Sequence, residues 1–104
     1  MKAEAEILVR FQSASEGGRT SPIFADRYGC TLTKDGAHGF DCRFILDGLT
    51  LFEFGREYEV AVKFLNPENA LESLKEGEKF YVWEGKIIGS GKVLAVHFNS
   101  SGNE

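Results

Sequence analysis

The chain carries no excess of basic residues. Twelve Lys and Arg face 16 Asp and Glu, which gives a formal charge of −4. Neutralising phosphates drives most non-specific nucleic-acid binding, so proteins of that class usually show a basic excess. The acidic balance disfavours that class for the chain as a whole and leaves open a local basic patch.

Cysteine and histidine are scarce, with two of each. Cys30 and Cys42 lack C-x-x-C spacing and have no nearby histidine partners, so neither a zinc site nor any other metal site is predicted. We interpret them as buried free thiols in a reducing compartment. The N-terminus carries acids where a signal peptide needs an apolar stretch, and no apolar run approaches ~20 residues. We therefore expect a cytoplasmic protein that does not enter a membrane.

No local catalytic motif accompanies the two histidines. His38 lies in a glycine-rich turn and His97 lies near the end of the last predicted strand. A G-x-S-x-G elbow, which would support nucleophilic catalysis, does not occur. We predict that the chain has no catalytic residues, and an enzyme or a small-ligand binder is the least favoured class.

One segment has the composition of a phosphate-binding loop but not its spacing. Residues 85–92 read Gly-Lys-Ile-Ile-Gly-Ser-Gly-Lys, yet Ser90 stands where the motif requires its second glycine. Val93 stands where the motif requires the hydroxyl residue that holds magnesium. We expect no GTP binding and no cofactor.

What the sequence does contain is a β-rich pattern. Of its 104 residues 42% are hydrophobic, and nine are Phe, which is enough to build a buried core. We predict one domain over residues 1–98, followed by a polar tail over residues 99–104.

Alternating apolar residues predict strands near 3–11, 28–33, 40–46, 57–64, 80–83 and 87–98, and apolar spacing predicts one short helix over 68–75. Turns are predicted at 35–36, 47–48 and 84–85, and residues 49–54 are short and apolar. Gly89 and Gly91 inside a strand indicate a bend, a bulge or a close backbone approach. The pattern predicts an all-β closed barrel or sandwich.

The loop over residues 13–21 and the segment after it contain the candidate binding residues. Two glycines permit close backbone approach, and arginine beside small hydroxyl residues suits contact with phosphate or carboxylate. The alternative, which the residues alone favour, is a solvent loop whose arginine pairs with Glu16 or Asp26. The candidate partner- or RNA-binding residues are Gly17, Gly18, Arg19, Thr20, Ser21 and Arg27.

Three segments, in order, resemble the C-terminal (third) β-barrel domain of elongation factor Tu and related translation GTPases. They are Glu-Gly-Gly-Arg at 16–19 followed by Thr-Ser-Pro-Ile-Phe, the strand at 58–65 followed by Asn-Pro, and Trp-Glu-Gly at 83–85 followed by Ile-Gly-Ser-Gly-Lys-Val at 88–93. The resemblance covers about residues 4 to 96. In the family's loop, basic and histidine residues follow the arginine; here Thr20 and Ser21 do.

The resemblance implies a stand-alone, six-stranded antiparallel Greek-key barrel. It implies a non-catalytic binding module whose partner is a protein, with a connection to translation. RNA or tRNA binding through residues 17–27 is the alternative, because that loop faces tRNA in the family. Apolar strand faces, such as those at Leu8 and Ile45, leave a homodimer open.

Overall fold

The alternating apolar positions close into a barrel in a computed structural model, which describes residues 3–97. A 3₁₀ turn at Ala14–Glu16 follows the first strand. The strands and the helix are β1 (Ala5–Phe11), β2 (Ile23–Ala25), β3 (Tyr28–Thr33), β4 (Gly39–Ile45), β5 (Thr50–Phe52), β6 (Glu57–Phe64), α1 (Pro67–Ser73), β7 (Lys79–Trp83) and β8 (Ile87–Val96). The predicted tail at 99–104, and Phe98 at the end of the last predicted strand, lie outside the described residues.

Six strands form the barrel in the order β1-β6-β4-β3-β7-β8, with every neighbouring pair antiparallel and β8 closing onto β1. The run β1-β6-β4-β3 is a Greek key, because three successive barrel strands lie side by side and the first strand returns beside the last of them. The prediction of a closed, six-stranded antiparallel barrel is confirmed. The sequence did not predict that β2 and β5 pair as a separate two-stranded sheet, which we call the flap.

Apolar side chains at alternate positions of the barrel strands fill the interior. On β1 the side chains of Ala5, Ile7, Val9 and Phe11 are all fully buried, while Glu6 between them is exposed. Successive side chains of a strand point to opposite faces, so this one pattern fixes which face is the core. The interior is completed by apolar residues of the other strands, among them Leu32, Phe44, Val60, Val62, Phe80, Val82 and Val93.

The two ends of the barrel are covered differently. At the end where β6 stops, α1 buries Ala70, and the carboxylate of Glu4 accepts hydrogen bonds from the Phe64 amide at 2.7 Å and from Lys63 at 3.0 Å. We call this the helix end. The backbone amide of His97 also donates to the Glu4 carbonyl there, at 2.9 Å. At the other end, the loop end, β1 runs into the loop at 13–21 and the flap lies over the interior.

The helix begins one residue before its predicted start and ends two residues before its predicted end. Pro67 occupies its first turn, and the Asn66 side chain accepts a hydrogen bond from the Asn69 amide at 3.4 Å. Both features are typical of a helix N-terminus. Among residues 3–97, no helix has the length and apolarity needed to cross a bilayer.

Strand β8 carries the irregularities that its glycines predict. Its register against β1 shifts between Glu6 and Ile7, and its register against β7 shifts between Val82 and Trp83. A Cβ on Gly91 would collide with the Leu8 carbonyl oxygen and approach the Phe80 ring to 2.8 Å. The predicted close backbone approach is confirmed, because only glycine fits at this position of β8 between β1 and β7.

We expect Gly91→Ala to lower the free energy of unfolding by about 2 kcal/mol or more, because the added methyl overpacks a position facing a backbone carbonyl that cannot rotate away. Urea unfolding followed by fluorescence measures this. Ser90→Ala, on the adjacent residue, is the matched control and should stay within about 0.5 kcal/mol of the wild type. Equal stability of the two variants would contradict this account of the strand crossing.

Candidate functional site

The loop that contains most of the candidate residues is ordered by its own backbone. The 3₁₀ turn ends at Gly17, whose φ of 93° lies in the left-handed region that favours glycine. Gly18 then packs against Gln12 so closely that a Cβ would collide with the Gln12 carbonyl. The Gly18 amide donates to the Ser13 carbonyl at 2.7 Å, and the Arg19 amide donates to Gln12 at 3.1 Å. These hydrogen bonds fix the Arg19 backbone, from which the side chain extends.

The Arg19 side chain is engaged in an ion pair within the protein. Its Nη1 lies 2.7 Å from Oε1 of Glu84, and both side chains are partly buried. Its Nε donates to the Ser21 carbonyl at 3.1 Å. The predicted alternative had the arginine paired with Glu16 or Asp26; the partner is instead Glu84, 65 residues along the chain, in the turn between β7 and β8. The loop at 13–21 and the β7–β8 turn, which lie near opposite ends of the sequence, therefore meet.

Tyr28 completes this contact, because its hydroxyl donates to the second carboxylate oxygen of Glu84. Burial raises the pKa of Tyr28 well above its ordinary range, and the hydrogen bond to Glu84 raises the pKa further. The carboxylate is thus shared between a guanidinium and a phenol. We call this arrangement the Arg19–Glu84–Tyr28 junction; it ties the loop at 13–21 to β3 and to the β7–β8 turn.

The remaining candidate residues differ from Arg19 in being open to solvent. Gly17, Thr20, Ser21 and Arg27 are exposed, whereas Gly18 is buried. Arg27 forms no ion pair with any acid among residues 3–97. The structure therefore places residues 17–21 together and sets Arg27 apart, in the turn between β2 and β3. Because Glu84 neutralises Arg19, Arg27 is the free positive charge of the candidate set.

The flap provides a second feature at the loop end, which the sequence did not reveal as a site. Its inner face buries Ile23 and Phe52, and the Phe52 ring lies 5.6 Å from the Phe11 ring and 5.0 Å from the Tyr58 ring. On its outer face Phe24, which is 64% exposed, lies directly opposite the exposed Leu51.

Leu49, just before β5, is 67% exposed and extends this apolar surface. The available signal was that residues 23–24 and 51–52 are apolar at adjacent positions, which gives a strand an apolar side chain on each face. Leu8 and Ile45, the apolar strand positions that left a homodimer open, are half-buried.

The histidines lie apart from each other and from the loop end. His38 is exposed and its Nδ1 lies 2.9 Å from Oδ2 of Asp35, an interaction that lowers the pKa of the Asp35 carboxyl below its ordinary range. His97 lies 3.0 Å from Glu6 on the barrel surface. No group of three potential metal ligands forms among residues 3–97.

Cys30 and Cys42 are free and lie directly opposite each other on β3 and β4, with 3.9 Å between their sulfur atoms. Cys42 is buried and Cys30 is half-buried. The hydrogen bond between the thiols, together with burial, raises the pKa of Cys30. The prediction of free thiols is confirmed, with one of the two only partly buried.

The sequence matches no protein-family model and no curated protein. The likeness to the third domain of elongation factor Tu therefore stays a prediction.

We expect Tyr28→Phe to cost about 1 kcal/mol at neutral pH, because it removes the hydroxyl that Glu84 accepts from. Since the folded-state pKa of Tyr28 lies above its unfolded value of about 10, this stabilisation is present below pH ~10 and is lost as the pH rises further. Above pH ~10 the wild type should lose stability more steeply than the variant, by at most about 1.4 kcal/mol per pH unit, because partial solvent screening reduces the effect. Urea unfolding from pH 7 to about 11 measures the difference, and parallel profiles would show that Tyr28 does not act in this way.

Proposed function

We propose that the protein is a non-catalytic binding module whose partner is a protein, and that the outer face of the flap is the contact surface. The observation that carries the proposal is the exposed pair Phe24 and Leu51 with Leu49 beside it. Large apolar side chains grouped on an exposed surface mark interaction sites more often than single exposed ones do.

The flap presents this surface rigidly. Phe52 anchors β5 in the aromatic cluster at the loop end, with its ring 5.8 Å from the Phe44 ring and close to those of Phe11 and Tyr58. A surface that is already ordered loses little conformational freedom on binding, and that loss is a major cost of association. The apolar outer face is therefore suited to a partner that docks without rearranging the flap.

Exposed charges surround the apolar surface. Asp26 and Arg27 follow β2, and Asp47 precedes Leu49. An apolar centre within a polar rim is the usual composition of a protein interface. A connection to translation belongs to the same proposal and rests on the resemblance of the sequence to translation GTPases.

RNA binding through residues 17–27 is the alternative, and the junction argues against it. Recognition of phosphate by arginine depends on free guanidinium donors. Arg19 directs two of its nitrogens at Glu84 and at the Ser21 carbonyl. Arg27 would have to supply the charge alone, so Arg27→Ala should abolish RNA binding if this loop is the site.

The test combines capture from the native lysate with substitutions on the flap. Wild type, Phe24→Ser/Leu51→Ser and Leu65→Ser are each used as bait. Leu65 is 82% exposed and follows β6 at the helix end, so Leu65→Ser is a matched apolar-to-polar control at the opposite end of the barrel. We expect the flap variant to lose the partner and the control to retain it, with affinity for the purified partner falling about tenfold or more in the flap variant.

The same variants test self-association by light scattering at rising protein concentration. A homodimer that the flap variant abolishes and the control retains would identify the partner as a second copy of the chain. The proposal fails if wild type stays monomeric and captures no specific protein, or if whatever it captures is equally retained by the flap variant.

A further inference from the structure

A different surface, on the outside of β7 and β8, combines aromatic rings with positive charge. Along β7 the side chains of Lys79, Tyr81 and Trp83 point outward, while Phe80 and Val82 point into the core. Tyr81 is 48% exposed and Trp83 is 42% exposed. Two large rings thus lie on the same face of one strand, two residues apart.

Two lysines lie beside these rings, in positions that destabilise the sheet. Lys79 of β7 lies directly opposite Lys92 of β8, and both are exposed. Like charges directly opposite each other on neighbouring strands are destabilising. Neither lysine forms an ion pair with any acid in the described part of the chain, although the chain is acidic overall.

The small residues of β8 leave an open hollow next to the lysine pair. Ser90 lies opposite Tyr81, and the Gly91 backbone packs against the Leu8 carbonyl of β1. The hollow has a volume of about 520 Å³. Besides the residues above, its lining includes Arg10, Lys34 and Glu57. Lys34 pairs with Glu78 at 3.2 Å and Arg10 pairs with Glu16 at 3.3 Å. The charges at the hollow that form no ion pair within residues 3–97 are therefore Lys79, Lys92 and the carboxylate of Glu57, which together leave a net positive charge.

We propose that this surface, the β7–β8 face of Lys79, Tyr81, Trp83, Ser90 and Lys92, binds single-stranded nucleic acid. Bases stack on the exposed rings and the backbone phosphates contact the two lysines, which is the combination that single-strand binding proteins use. Rings two residues apart on a strand are separated by about 6.6–6.8 Å along it, which lets successive bases of an extended strand reach successive rings. The face shares no residue with the flap or with the Arg19 loop, although Trp83 directly precedes Glu84, the partner of Arg19.

Single-stranded nucleic acid fits this face better than other anions do. A free phosphate would use the lysines and leave both rings in water, and an acidic peptide would lack flat partners for them. A duplex keeps its bases stacked inside and cannot offer them to the rings. The ligand that satisfies lysines and rings together carries phosphates and unpaired bases on one chain.

The only tryptophan of the protein lies in this face, so binding has an intrinsic signal. Titration with a uridine or thymidine oligonucleotide of about eight residues should quench Trp83 fluorescence, because a stacked base contacts the indole. With two lysines on two phosphates, log K should fall with log salt with a slope of about −1.4. An abasic oligonucleotide of the same length should bind at least about tenfold more weakly, because it keeps the phosphates and lacks the stacking bases.

Substitutions separate the two contributions. Lys79→Ala and Lys92→Ala should each reduce the salt slope by about 0.7. Arg43→Ala, which removes an exposed positive charge from β4 on the opposite side of the barrel, is the matched control and should leave the slope unchanged. Tyr81→Ala should weaken binding about tenfold, and Tyr81→Phe should retain it because the ring remains.

Lys79→Glu distinguishes loss of binding from loss of folding. It places opposite charges across the β7–β8 pair, so the urea midpoint should rise while oligonucleotide binding disappears. The flap variant Phe24→Ser/Leu51→Ser should bind the oligonucleotide as the wild type does, so this proposal and the flap proposal can fail independently.

Several results would overturn the proposal. One is the absence of Trp83 quenching at low salt. A second is equal affinity for the abasic strand or for polyglutamate, which would mean binding of polyanions without base stacking. A third is a loss of binding in Arg27→Ala that Lys79→Ala and Lys92→Ala do not reproduce, which would place the nucleic acid on the Arg19 loop.

Discussion

Closure of the barrel by β8 is the constraint on which the rest of the structure depends. This strand hydrogen-bonds to β1 on one side and to β7 on the other, and its register shifts against both. A closed barrel has no exposed strand edge, so its stability does not depend on a partner completing the sheet. Gly91 permits the crossing because it offers no side chain to Leu8 and Phe80.

Closure leaves two open ends, and the sequence covers them by unlike means. At the helix end a buried carboxylate and a short helix complete the hydrogen bonds and the packing. At the loop end Phe52 enters the aromatic cluster, and the Arg19–Glu84–Tyr28 junction holds the loop over the rim. The loop end is therefore joined by side chains far apart in sequence, whereas each strand of the barrel wall is recognisable from the alternation of its own residues.

This difference explains what the sequence could and could not predict. Period-two alternation at residues 5–11 and 57–64 depends only on local order, and the barrel strands, the turns and the single helix were predicted from such local signals. The three-residue strands of the flap are too short to show a period, and no strand was predicted over Ile23–Ala25. The Glu84 partner of Arg19 could not be inferred, because an ion pair between residues 65 positions apart leaves no pattern in either segment. The cross-strand pair Lys79 and Lys92 likewise depends on the register of β7 against β8, which shifts between Val82 and Trp83.

The hydrogen bond from the His97 amide to the Glu4 carbonyl places both edges of the domain side by side at the helix end. Glu4 and His97, near the two limits of the described range, therefore lie together at the end of the barrel opposite the flap. The adjacency also permits a short linker to join the two edges and new termini to be opened elsewhere in the chain. Such a circular permutation keeps the same strands paired in the barrel wall. The order of the strands in the sequence is thus separable from their arrangement in space.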